Sequence, residues 1–127
     1  YENWKSAPFR TDPNRYWYVD FAKIIKSMVA AIYMETEIWS DEEQTVRLEM
    51  GSNDGIKTWL NGQVVHVHDA SRGVTAGEDV KEVTLQKGKN TLLMKIVNEG
   101  GGWGGCARFR ALDGGHLSNV KINLPSN

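Results

Sequence analysis

Apolar and polar residues alternate along most of the chain from residue 28 onward. In the first long segment, the apolar residues of one parity are Met28, Ala30, Ile32, Met34 and Ile38. Successive side chains of a β-strand point to opposite faces of its sheet, so this alternation predicts a long strand with one buried face. The same pattern at Val46, Leu48 and Met50 predicts a second strand, which we expect to stop at the turn-forming residues 51–55.

Asn61-Gly62 lies between two further predicted strands. It is a strong hairpin signal, because both positions of such a tight turn need a positive φ. A two-residue turn sets the register of the hairpin, and it predicts that His66 and His68 share one face with Lys57 and Trp59.

Residues 86–90 are rich in turn formers and lie between the predicted strands 80–85 and 91–97, so they predict a second hairpin. The later of these strands is apolar on both faces, as is typical of a central strand. Alternation over 107–111 predicts one more strand, and we expect Val120 to Leu124 to form the last one.

About seven or eight short strands with regular turn signals and no amphipathic helix predict an all-β fold, an antiparallel β-sandwich or jelly roll. The one helix candidate is a single turn over 20–25, capped by Asp20. We expect one domain over 1–127, with an irregular proline- and aromatic-rich lead-in over 1–20 and a C-terminal strand and tail over 113–127.

Composition and charge narrow the classes of function. A chain of 127 residues, 40% of them apolar, can bury one core without a disulfide, and its single cysteine, Cys106, excludes an internal one. The 15 Lys+Arg and 16 Asp+Glu residues are interspersed, which leaves no basic face for nucleic acid. No apolar run approaches the ~18 residues of a membrane span. We therefore expect neither nucleic acid nor a membrane as a partner.

Three motifs resemble one family. They are Gly51-Ser-Asn-Asp-Gly-Ile-Lys-Thr-Trp-Leu-Asn-Gly62, Leu85-Gln-Lys-Gly-Lys-Asn-Thr-Leu-Leu-Met-Lys-Ile96 and Gly100-Gly-Gly-Trp-Gly104. In order and spacing they resemble the galactose-binding-domain-like jelly-roll modules of secreted, multimodular bacterial proteins, many of which are glycoside hydrolases. The resemblance covers residues 20 to 112, and the Trp-Leu-Asn-Gly stretch is similar to a hairpin in the sugar-binding domain of β-galactosidase-type enzymes.

This resemblance implies a secreted, extracellular bacterial protein whose module binds a polysaccharide or oligosaccharide and is not catalytic. It also implies a larger parent protein with catalytic or other domains as partners. The alternative is a structural ancillary β-sandwich that packs against a catalytic domain and binds no sugar. A small enzyme is a third class, but the sequence has no Gly-x-Ser-x-Gly elbow and no distinctive carboxylate pair. No catalytic residue is predicted.

Trp103 is the first candidate for sugar binding. Five glycines surround it within residues 98–105, which leaves its indole face open for a sugar to stack on, while the amide of Asn98 is placed to bind hydroxyl groups. The alternative is that the indole folds back as a lid over the core.

Asn53 and Asp54 form a candidate calcium site within a tight turn. A second resemblance, to the calcium-dependent lectin domains of yeast flocculins, implies that two consecutive aspartates before a glycine bind calcium and orient the sugar. In this chain the first of the two is Asn53, which lowers the charge at the site. Oxygen ligands suit calcium, whereas the alternative is an Asx turn that satisfies its own backbone.

His66, His68 and Asp69 form a second candidate metal site, because two imidazoles and a carboxylate can bind zinc or a similar ion. His116 is available as a fourth ligand. The alternatives are a polar strand surface, or hydrogen bonds from His66 to a sugar on a face shared with Trp59.

Arginines complete the candidate set. Arg72, in the long loop 69–79, could bind vicinal hydroxyls or a uronate carboxylate, or else anchor its loop through an ion pair. Arg108 and Arg110 could bind an acidic glycan or merely protect the sheet. We expect a site built from loops 52–55, 69–79 and 98–105. Its predicted carbohydrate-binding residues are Trp103, Asp54, Arg72, Asn98, Trp59 and His66.

Overall fold

The computed structural model describes residues 19–20, 31–68, 77–97 and 104–123, and this part of the chain forms nine β-strands. The strands are β1 (Val19–Asp20), β2 (Ala31–Ser40), β3 (Gln44–Asn53), β4 (Gly55–Leu60), β5 (Gln63–His68), β6 (Asp79–Leu85), β7 (Gly88–Val97), β8 (Gly104–Arg110) and β9 (Val120–Asn123). Within the described ranges, no helix has the length and apolarity needed to cross a bilayer. The predicted helical turn falls on Asp20, which belongs to β1, and on residues outside the described ranges.

The strands form two antiparallel sheets. Sheet A has four strands in the order β1-β8-β3-β6, and sheet B has five in the order β5-β4-β7-β2-β9. The predicted all-β, antiparallel β-sandwich is therefore confirmed. β7, whose residues are apolar on both faces, is the central strand of sheet B, as its sequence predicts.

The inward faces of the two sheets form a single apolar core. Val46, Leu48 and Met50 of β3 are fully buried, as their alternation predicts. The remaining core residues come from both sheets and are Ile38, Ile56, Leu60, Val83, Leu85, Leu92, Met94 and Ile96. The sheets approach so closely at Gly105 that a Cβ atom there would lie 3.1 Å from Cδ1 of Ile96. A glycine at this point in β8 lets the two sheets close over the core.

β3 continues beyond its predicted end. Gly51, Ser52 and Asn53 pair with residues of β8, so only Asp54 separates β3 in sheet A from β4 in sheet B. The backbone amide of Asp54 donates to the carbonyl of Val97 at 3.0 Å, which ties the crossing to sheet B. The glycine and serine residues that suggest a turn here are also compatible with an extended strand. The segment therefore continues β3 and then crosses to the other sheet.

The hairpin at Asn61-Gly62 forms as predicted, and both of its turn residues have positive φ, 52° and 82°. The hairpin predicted at residues 86–90 is wrong. β6 is an edge strand of sheet A and pairs with β3, whereas β7 lies in sheet B and pairs with β2 and β4. The chain crosses from one sheet to the other at Gln86, and the strand that follows begins at Gly88.

Asn90 holds this crossing in place. Its side chain is fully buried, and its Oδ1 accepts hydrogen bonds from the backbone amide of Gln86 and from Nδ2 of Asn61, both at 2.9 Å. Its Nδ2 donates to the carbonyls of Gln86 at 2.9 Å and Gly88 at 3.1 Å. One amide group thus fixes the connection between the sheets and joins it to the β4–β5 turn.

We expect Asn90→Ala to lower the free energy of unfolding by about 3 kcal/mol, because it leaves several buried polar groups without partners. Urea denaturation monitored by tryptophan fluorescence measures this change. The exposed Lys87→Ala in the same crossing is the control and should stay within about 0.5 kcal/mol of the wild type. An Asn90→Ala protein as stable as this control would contradict the role given to Asn90.

Candidate functional site

Three of the connections predicted to form the binding site start or end together at one end of the sandwich. Asn53 pairs with Gly104, the first residue of β8, and Gly55 pairs with Val97, the last residue of β7. His68, the last residue of β5, pairs with Ile56 in the same region. The candidate sugar-binding residues on these connections, Trp103, Asn98 and Arg72, lie outside the described residues, as does Asp69. Their roles stay predictions.

Asp54 lies at this end and is nearly enclosed, with 4% of its surface exposed. Its backbone carbonyl accepts a hydrogen bond from Oγ of Ser52 at 2.6 Å, and the peptide bond from Asn53 to Asp54 is cis. Asn53 is only partly buried. A buried carboxylate suits an internal ligand or a turn-stabilising group better than a direct contact with a sugar.

A β-bulge changes which way the two histidines of β5 point. Trp59 pairs with Val64, but the next pair joins Thr58 to His66, so Val65 has no partner on β4. One extra residue in a strand reverses the faces of all residues beyond it. The prediction that His66 shares a face with Trp59 is therefore wrong.

Beyond the bulge, His66 and His68 lie opposite the core residues Thr58 and Ile56, and they point into the sandwich. There they meet Asp79, the first residue of β6, across the gap between the two sheets. Nε2 of His66 lies 3.1 Å from Oδ2 of Asp79, and Nδ1 of His68 lies 3.1 Å from Oδ1. We call these three residues the His–Asp cluster.

The structure brings the carboxylate of Asp79 to the two histidines, whereas Asp69, the carboxylate that the sequence predicted, lies outside the described residues. His116 does not join the cluster: the amide of Asp41 bonds to the carbonyl of Asn119. This bond places the segment that carries His116 near the β2–β3 turn, away from the cluster. Among the described residues, no fourth histidine, cysteine or carboxylate belongs to the group.

The outer face of sheet B carries a group of aromatic and basic side chains, Tyr33, Lys57, Trp59 and Lys95, which we call the lysine–aromatic face. Lys57, Lys95 and Tyr33 stand side by side on three adjacent strands. The rings of Tyr33 and Trp59 have centroids 6.3 Å apart and planes tilted by 32°.

The two lysines lie beside these rings. Nζ of Lys57 lies 5.0 Å from the ring centroid of Trp59, and Nζ of Lys95 lies 5.9 Å from that of Tyr33. Within the described part of the chain, neither ammonium group has a carboxylate at ion-pair distance. Their charges are therefore available to a ligand.

Sequence reasoning found Trp59 but missed Tyr33, Lys95 and Asp79 as site residues. Lys95 had a signal, because it is the one charged residue in an apolar run, at the outward parity of a central strand. Tyr33 also lies at the exposed parity of its strand, and 46% of its surface is open. Asp79 had no such signal, since its partners lie in the other sheet.

Glu49 is the centre of an ion-pair cluster on the outer face of sheet A, although alternation predicts an exposed side chain. Nε of Arg108 donates to Oε1 of Glu49 at 2.5 Å, and Nε of Arg47 lies 2.7 Å from Oε2. Burial acts to raise the pKa of Glu49, but the hydrogen bond from Arg108 and the charges of both arginines outweigh it and lower the pKa. Because Arg108 is bound in this way, its structural role is favoured over glycan binding.

Comparison with known proteins finds solved structures of similar fold. No family model and no curated protein matches the sequence. Among solved structures, the chain is similar to the PA14 domain of MpAFP antifreeze protein, with a TM-score of 0.55 and 20% identity over 66% of this chain and 44% of that one. It is also similar to a family 35 carbohydrate-binding module from an environmental isolate, with a TM-score of 0.57 and 7% identity over 77% of this chain and 74% of that one.

At such low identity these similarities show the fold alone. The aligned region spans less than half of the antifreeze chain. The similarities confirm, at the level of architecture, the galactose-binding-domain-like jelly roll that the sequence motifs imply.

The lowered pKa of Glu49 predicts how the free energy of unfolding changes with pH. Because its pKa in the folded protein is below the ordinary value of 4.5, its stabilising effect is complete above that value and is lost as pH falls through the lowered pKa. We expect Glu49→Gln to be less stable than the wild type by about 1 kcal/mol at pH 7, allowing for the exposure of both arginines. The difference should shrink toward zero at strongly acid pH.

Urea denaturation at a series of pH values measures both effects. Glu43→Gln replaces an exposed glutamate at the start of β3 and is the matched control, with little expected change at any pH. A stability difference for Glu49→Gln that stays constant down to strongly acid pH would refute the assignment.

Proposed function

We propose that the chain is a non-catalytic carbohydrate-binding module whose ligand lies on the lysine–aromatic face. The observation that carries this proposal is the ring pair of the exposed Tyr33 and the half-buried Trp59, which meet across β7 on the outer face of sheet B with a lysine beside each ring. The shared fold with a carbohydrate-binding module supports it at the level of architecture.

Stacking on aromatic rings explains why this face suits a sugar. One face of a pyranose ring consists of C–H groups, and it gains by covering an aromatic surface that is otherwise in water. Two rings tilted by only 32° offer a nearly continuous platform. Because both rings stand on strands of one sheet, the platform is already ordered before the ligand binds, which lowers the entropic cost of association.

The lysines favour a negatively charged sugar. Lys57 and Lys95 occupy directly paired positions on β4 and β7, so their side chains lie on the same face and close together. A carboxylate between two ammonium groups would gain attraction from both, and no carboxylate of the described chain competes for them. The proposed ligand class is therefore an acidic polysaccharide such as a polyuronate.

Further parts of the proposal rest on the sequence resemblance. We place the module in a secreted bacterial protein, beside catalytic or other domains of its parent. Trp103, Asn98 and Arg72 would form additional contacts at the sandwich end, where Asn53 and Asp54 would hold calcium.

We expect Trp59→Ala and Tyr33→Ala each to weaken binding of trigalacturonate by at least about tenfold, since stacked aromatic contacts are the usual anchors of such a site. Isothermal titration calorimetry measures the affinity. Trp39→Ala is the matched control: this tryptophan is 49% exposed on the same face, but it lies six positions along β2 from Tyr33, roughly 20 Å away.

The role of charge is tested by comparing trigalacturonate with its methyl ester and by adding salt. We expect the ester to bind more weakly, the affinity for the acid to fall as sodium chloride is raised, and Lys57→Ala to remove most of this difference. Loss of binding in Trp103→Ala alone would move the site to the sandwich end, and loss on removal of calcium would show that binding needs the ion. A folded protein that binds neither acidic nor neutral polysaccharides would favour the structural ancillary role.

A further inference from the structure

We infer that the His–Asp cluster is a binding site for a divalent transition-metal ion, of which zinc is the first example. The cluster points into the sandwich, on the opposite side of sheet B from the lysine–aromatic face, so the inference does not depend on carbohydrate binding. It rests on the arrangement of three donor groups, the burial of one imidazole and the position of the cluster between two edge strands.

The donor atoms are already close to the positions that a metal ion requires. The ligand atoms of His66, His68 and Asp79 all lie within 4.8 Å of one another, and each imidazole is 3.1 Å from the carboxylate. Four ligands about 2.1 Å from a tetrahedral zinc ion are roughly 3.4 Å apart. Small side-chain movements would therefore bring all three atoms onto one ion.

The burial of His66 supports a metal site independently of the distances between the donor atoms. Its side chain is 10% exposed, and its Nε2 is buried without a hydrogen-bond partner. The carboxylate of Asp79 lies near this nitrogen, but their relative orientation does not make a hydrogen bond. A buried ring nitrogen that makes no hydrogen bond costs free energy, and coordination to a metal ion would remove that cost.

The chemical types of the three donor groups indicate which metal ions the cluster would bind. Imidazole nitrogens together with one carboxylate suit zinc, copper, nickel and iron(II), whereas calcium and magnesium prefer oxygen ligands alone. His68 is 44% exposed, which opens one side of the cluster to solvent. Since no fourth protein ligand joins the group among the described residues, a water molecule would complete a tetrahedron.

The position of the cluster indicates what the ion would do. β5 is the edge of sheet B and β6 is the edge of sheet A, and no strand pairing joins them. An ion held by His66 and His68 on one edge and by Asp79 on the other would cross-link the two sheets on their open side. It would also fix the two strand ends between which the chain runs from β5 to β6.

Zinc titration of the protein tests the site. We use the full chain without an affinity tag, freed of metal with a chelator, and measure binding by calorimetry and the shift in Tm. We expect one saturable equivalent of zinc and a rise in Tm of about 5–10 °C at a zinc concentration ~100-fold above Kd. Cobalt(II) in place of zinc should give the visible absorption of a tetrahedral site.

Substitutions assign the ligands. Asp79→Asn keeps the shape of the side chain but removes its charge, and His66→Ala removes the buried ligand. Each should weaken zinc binding by at least about tenfold. Because a buried substitution can also impair folding, His68→Gln at the half-exposed position provides a second variant with the same expected loss.

His116→Ala is the matched control, because the chain has only three histidines and this one lies outside the cluster. It should bind zinc as the wild type does. The inference is overturned if the folded wild type binds no zinc, if the cluster variants bind it as well as the wild type, or if His116→Ala loses binding to the same extent.

Discussion

The alternation of side chains along each strand is the constraint on which the other features depend. A strand residue that faces the core on β3 must lie opposite core-facing residues on β6 and β8, so one choice of register fixes the environment of a whole row. Leu48 faces Phe109 in this way. The same rule places Tyr33, Lys57 and Lys95 together on the outer face of sheet B, where no other force requires them to meet. A single inserted residue, Val65, is enough to send His66 from that face into the sandwich.

The strands could be predicted from the sequence because alternation is a local property. Val46, Leu48 and Met50 indicate a buried face without information from any other part of the chain. The same holds for β7, which is apolar on both faces. The pairing of strands is not local. Residues 86–90 contain good turn formers whether the next strand folds back beside β6 or crosses to the other sheet, and the deciding interaction, the buried amide of Asn90, involves Asn61 of a separate turn. The predicted hairpin was wrong for this reason.

In the candidate sites, too, local features could be predicted from the sequence, whereas contacts between distant strands could not. Trp59 was found because a tryptophan beside a hairpin turn is conspicuous, but its neighbour Tyr33 is 26 positions away in the sequence and meets it only through two strand pairings. For the histidines, the sequence indicated two imidazoles beside a carboxylate, but it gave no sign of Asp79, which contacts His68 from the other sheet. Glu49 looked like a surface residue because alternation specifies only the face. Two arginines and the backbone at Gly77 lie against it and cover it.

The bulge at Val65 explains how one short edge strand contributes side chains to the outer face of sheet B and to the interior of the sandwich. Before the bulge Val64 lies outward beside Trp59, and beyond it His66 and His68 lie inward, where a plain hairpin would have turned them to solvent. An edge strand has unpaired backbone groups and invites association with other chains, and bulges are a common means of limiting this. In this chain the bulge also brings two imidazoles against a carboxylate of the opposite sheet. The contact between His68 and Asp79 therefore joins the two edge strands in the absence of any ion, and a metal would strengthen a connection that the fold already makes.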